Sequence, residues 1–125
     1  MLTALLRDFY TIDKLEKTET SLSAKVTFNI TDPIFKGHFP DLPIVPGVCQ
    51  TQMLGEVLAK ALDKDIRLDK ASSIKFLAVV NPAENKSLLM NINYISQEDG
   101  SYAVVADYRW EQTTFFKFKG VYKSS

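Results

Sequence analysis

The chain has 125 residues, 46% of them hydrophobic and 24% charged, which fits a single domain, residues 1–125, with a core of its own. Fifteen basic and fifteen acidic residues cancel, so nothing in the charge suggests a nucleic-acid partner or a disordered acidic tail. Cys49 is the only cysteine, no run approaches the ~18 apolar residues of a membrane span, and residues 1–8 lack the basic and apolar regions of a secretion signal, so a cytoplasmic location is the expectation.

Residues 1–6 are apolar and are expected to form a short helical turn, with a first strand over 7–16. From Ser23 to Ile30, Ala24, Val26, Phe28 and Ile30 alternate with polar residues, the period of a half-buried strand. Residues 31–47 hold Pro33, Pro40, Pro43 and Pro46 together with Gly37 and Gly47. Proline fixes φ and removes a donor, so a long stiff loop is expected here rather than a helix or a central strand.

The periodicity then changes. Val48, Cys49, Met53, Leu54, Val57, Leu58, Ala61 and Leu62 spread around most of a helix over 48–63, which is expected to be buried. Its polar seam is narrow: Gln52, Glu56, Lys60 and Asp63. Strands are expected at 73–80, 88–95, 102–110 and 113–122, with a hairpin turn at Gln97-Glu98-Asp99-Gly100 where Asp-Gly supplies positive φ. The sum is an α+β domain: a curved antiparallel sheet of five or six strands wrapped around one long central helix. One helix covers only part of such a sheet, which points to a dimer that joins two sheets edge to edge.

Gly37-His38-Phe39-Pro40, followed by Pro43-Ile44-Val45-Pro46-Gly47-Val48, resembles the GHFP-x-x-P-x-x-PGV signature of the 3-hydroxyacyl-[acyl-carrier-protein] dehydratases of type II fatty-acid synthesis. Ile74-Lys75-Phe76, Val79 or Val80, and Pro82 are similar to a second family segment, with Ala83-Glu84 in place of its usual Gly-Asp. The resemblance implies a hot-dog fold and a lyase that takes acyl chains from acyl carrier protein, as a homodimer or higher oligomer. It implies that His38 is the general base and acid, and that Gly47 offers a backbone N–H to the thioester carbonyl. The family's helix carboxylate lies fourteen residues after the histidine. That position is Gln52 here, while Glu56 stands one turn further on, as though the two residues had exchanged places.

The chemistry asks for the same groups. Dehydration removes a proton beside the carbonyl and expels the 3-hydroxyl as water. Charge develops on the carbonyl oxygen, and N–H groups at a helix start, those of Gly47 and Val48, suit it. His38 is the only histidine available as base; its structural alternative is a loop imidazole bonded to backbone. Glu56 reads in two ways, as the missing carboxylate about 5.4 Å along the helix or as half of an i,i+4 surface pair with Lys60 worth ~0.3 kcal/mol. Gln52 can bond a substrate hydroxyl or hold a water but cannot act as an acid. Cys49 is either a thiol near a helix start or a small buried hydrophobe. Phe35, Phe39, Phe76 and Trp110 either line an acyl tunnel or fill the core.

No spacing suits a metal, no glycine-rich loop suits a phosphate, and no other cofactor is called for. Two further readings stand beside the dehydratase: a hot-dog acyl thioesterase in which Glu56 carries the chemistry, and a non-catalytic acyl-thioester-binding subunit that has lost its acid at Gln52. Acyl carrier protein is acidic, so cations such as Lys36 and Lys75 are candidates to meet it.

Overall fold

A computed structural model describes residues 8–37 and 44–124. Its elements are β1 (Tyr10–Lys17), β2 (Ser21–Phe28), α1 (Pro33–Gly37), α2 (Gly47–Leu62), β3 (Ile66–Phe76), β4 (Ser87–Ser96), β5 (Tyr102–Trp110) and β6 (Thr113–Ser124). The strands form one six-stranded sheet in the order β1-β2-β4-β5-β6-β3, and every pairing is antiparallel. This is the hot-dog fold: α2 lies against the inner face of the curved sheet.

The sheet alternates cleanly where the helix covers it. Leu22, Ala24, Val26 and Phe28 of β2 are buried, as are Leu88, Met90, Ile92 and Tyr94 of β4. They meet Cys49, Met53, Leu54, Val57, Leu58 and Ala61 of α2 in one core. One helix about 10 Å wide cannot cover a sheet about 24 Å across, and β3, at the sheet edge beside α2, has most of its residues exposed. Leu68, Ile74 and Phe76, which pair in register with buried residues of β6, are themselves exposed.

Several boundaries differ from the expectation. Residues 31–47 are not loop throughout, because α1 occupies Pro33–Gly37. Asp32 starts it: its Oδ1 accepts the Ile34 N–H at 2.9 Å and its carbonyl the Phe35 N–H at 3.1 Å. Pro33 is at the first helical position, where the missing N–H costs nothing. Strand β2 stops at Phe28 rather than Ile30, because the Asn29 side chain takes the Thr31 N–H and turns the chain. Strand β3 runs from Ile66 to Phe76, not 73 to 80. Register shifts between Leu68 and Lys70 and between Ala71 and Ser73 break its period of two. Helix α2 ends at Leu62, with Asp63 left-handed at φ 53° as its cap. The 97–100 hairpin turn is as expected, with Gly100 at φ 86°. The expected helical turn over residues 1–6 lies outside the described residues.

Candidate functional site

The site is built along the first three turns of α2. At the helix start, Pro46 is extended and its carbonyl accepts the N–H groups of Cys49 and Gln50, each at 3.0 Å. The N–H groups of Gly47 and Val48 come earlier and have no acceptor within the helix, so positive potential is available at this end. Val48 is 67% exposed. The Phe76 ring lies over Gly47 so closely that a Cβ there would come within 2.9 Å of its Cζ. A side chain at 47 would therefore have to push the Phe76 ring aside.

Further along, α2 and β3 enclose an open groove of about 620 Å3, bordered by Val48, Gln52, Glu56, Ile66, Leu68 and Tyr122. The Glu56 carboxylate is bonded at both oxygens. Oε1 accepts from the Tyr10 hydroxyl at 2.8 Å, and Oε2 accepts from the Gln52 amide at 3.1 Å. A helical side chain leans toward the helix N-terminus, which brings Glu56 back to Gln52. The carboxylate therefore lies one hydrogen bond from the amide at the fourteenth position after His38, not a full helical turn away. Burial raises the Glu56 carboxyl above its ordinary value, against the pull of its two donors. Burial, and then the bond to Glu56, raise the Tyr10 phenol, so it stays a donor.

This overturns the Glu56–Lys60 surface pair: Lys60 is exposed, and no ion pair among the described residues joins it to Glu56. Cys49 behaves as a buried hydrophobe, with burial and then the Asp32 and Glu56 carboxylates pushing its thiol up to about 11. Phe35 is core, stacked on Phe9 at 4.8 Å, and Trp110 lies under Lys25, 5.8 Å from its ammonium. Neither borders the groove. Phe76, 52% exposed, borders an apolar recess with Ile44, Leu77 and Val79. His38, Phe39 and Asp41 lie outside the described residues, as does the side chain of Lys36. Tyr10 carries no mark in the sequence: it lies 46 residues from Glu56, and only the folded sheet joins them.

Among the described residues, no helix is long and apolar enough to cross a membrane, and no group of His, Cys, Asp and Glu is arranged for a metal.

Residues 14–115 match the ApeI-like family, described as ApeI dehydratase. The chain belongs to this dehydratase family. It is 30% identical over 112 residues to the 3-hydroxyacyl-[acyl-carrier-protein] dehydratase FabZ of Thermotoga neapolitana, covering 84% of this chain and 78% of that protein. A shorter stretch of 55 residues is 42% identical to the enzyme of that name from Clostridium perfringens, of which it spans 40%. Among solved structures, the dehydratase heterocomplex ApeI:P from Xenorhabdus doucetiae superposes with a TM-score of 0.74 at 21% identity, covering 89% of this chain and 96% of that one. A mutant of the thioesterase SAV0944 from Staphylococcus aureus gives 0.63 at 11% identity, with 98% of each chain covered. At such identities these two structures share the fold alone. The dehydratase family therefore rests on the sequence matches and the hot-dog fold on the superpositions.

Proposed function

We propose that the chain removes water from 3-hydroxyacyl thioesters delivered by acyl carrier protein, in fatty-acid or related acyl-chain synthesis. The observation that carries this reading is Glu56: its carboxylate borders the groove and is held by Tyr10 and Gln52. His38 takes the proton beside the carbonyl. The N–H groups of Gly47 and Val48 meet the carbonyl oxygen as it gains charge. Glu56, its carboxyl raised by burial, gives its proton to the 3-hydroxyl, the C–O bond breaks and water leaves. A proton passing from His38 back to Glu56 through solvent restores the site. Gln52 orients Glu56, and Phe39 contacts the acyl chain beside His38.

The same reading covers the assembly. The chain acts as a single hot-dog domain over residues 1–125, in the cytoplasm, as a homodimer or higher oligomer. The exposed edge and apolar residues of β3 support the dimer, since a second sheet would cover them.

A second reading has its own observation. Gln52 stands where the resembling dehydratases carry the acid, which favours an acyl-thioester-binding subunit without activity. A thioesterase would use Glu56 to activate water. Mass spectrometry of a 3-hydroxyacyl-carrier substrate separates the three, with His38→Ala, Gln52→Ala and Glu56→Ala alongside. Loss of water that vanishes in His38→Ala and Glu56→Ala is the result expected of the dehydratase. Retained acyl binding without water loss leaves the binding subunit, and release of free thiol leaves the thioesterase.

A further inference from the structure

We infer that Tyr10 is a positioning residue for the reaction: its hydroxyl fixes the Glu56 carboxylate in the groove at the angle the proton transfer needs. The inference rests on the reading of Glu56 as the acid.

The geometry is specific. Glu56 is on α2 and Tyr10 begins β1, at the far edge of the sheet from β3. The Tyr10 side chain is buried, and its hydroxyl reaches Glu56 Oε1 at 2.8 Å. Gln52 holds the other oxygen. One donor would leave the carboxylate free to turn about its terminal torsion, which is soft. Two donors from different elements fix its plane. Gln52 and Glu56 share a helix and move together, so among the described residues only Tyr10 ties the carboxylate to the sheet. The groove side of Glu56 then stays open to a ligand, and each oxygen retains acceptor capacity beyond the one bond it makes. A tyrosine suits this place, since its hydroxyl is uncharged and, raised by burial, does not compete for the proton.

Tyr10→Phe keeps the ring and removes the donor. With a 3-hydroxyacyl thioester as substrate, kcat is expected to fall about tenfold, the worth of one hydrogen bond to a charged group. KM is expected to stay within about twofold, because the residue does not touch substrate. The limb of the pH–rate profile that is absent in Glu56→Gln moves to higher pH, because a donor to the ionised form is lost. In the double variant the losses do not add, since Tyr10 acts only through Glu56. An unchanged kcat and pH limb in Tyr10→Phe overturns the inference. So does a fall in thermal stability without a change in kcat per folded molecule, or an additive loss in the double variant. Full activity in Glu56→Gln overturns the reading of Glu56 itself, and the inference with it. Carboxyl NMR titration of Glu56 in native protein and Tyr10→Phe provides a readout that needs no turnover: an unmoved titration also overturns the inference.

Discussion

The Tyr108 hydroxyl donates to the backbone carbonyl of Gln50 at 2.6 Å, across 58 residues of chain. Tyr108 is fully buried on β5, and Gln50 is in the first turn of α2. The bond therefore pins the helix start, with the Gly47 and Val48 N–H groups that have no acceptor within the helix, to the interior of the sheet. Burial raises the Tyr108 phenol well above its ordinary value, so the donor persists in alkaline solution. Removing it in Tyr108→Phe is expected to lower stability by about 1 kcal/mol, measured by urea unfolding. Because the helix start would loosen with it, kcat is expected to fall as well; an unchanged kcat would separate the bond from the site.

Glu56 makes stability depend on pH. Its carboxyl is raised in the folded protein, so in the window above its ordinary value the native state holds more protons than the unfolded chain. Stability contributed there is present at low pH and is lost as pH rises through the folded value. Glu56→Gln retains an acceptor for Tyr10 without the charge. The variant is expected to melt higher than native protein at about pH 8, with the gap narrowing as pH falls toward about 4, near the ordinary carboxyl value. A gap that widens toward acid would contradict the assignment.

Gly47 and Phe76 are coupled by contact. In Gly47→Ala the new Cβ meets the ring at 2.9 Å, and pushing it aside is expected to cost about 1 kcal/mol. In a Phe76→Ala background the obstacle is gone, and the same change is expected to stabilise by up to about 1 kcal/mol through helix propensity. A double-mutant cycle by chemical denaturation reads the change of sign.

Leu68 and Ile74 of β3 are apolar and exposed. If a second copy covers them, Leu68→Glu/Ile74→Glu is expected to shift sedimentation from dimer to monomer and to abolish water loss. A variant that sediments like native protein would remove β3 from the interface.

Much of this is legible in the sequence. Helix α2 announces itself by its apolar period, and the β4–β5–β6 meander by alternation and the Asp99-Gly100 turn. Those signals are local, and so is the loop motif with its Gly47 helix start. Strand β3 is only half legible, because its two bulges scramble the period and its edge position removes the need for a buried face. Helix α1 is hidden when prolines are counted only as breakers, although Asp32-Pro33 is itself a helix start. Glu56 can be named from its type and place, but its choice of Tyr10 over Lys60 depends on strand β1, which no spacing along the helix can reveal.

The strand order carries a consequence for folding. Strand β3 is third in sequence but pairs only with β6, and their register joins Ile66 to Ser124. During synthesis β3 leaves the ribosome with no partner, and the groove it forms with α2 is incomplete until β6 arrives. Closing that long loop comes late and slowly. Until then an unpaired strand carrying apolar side chains is open to any other chain. The dozen residues of β6 thus set when the nascent chain becomes safe from aggregation, and when the groove beside α2 is first complete.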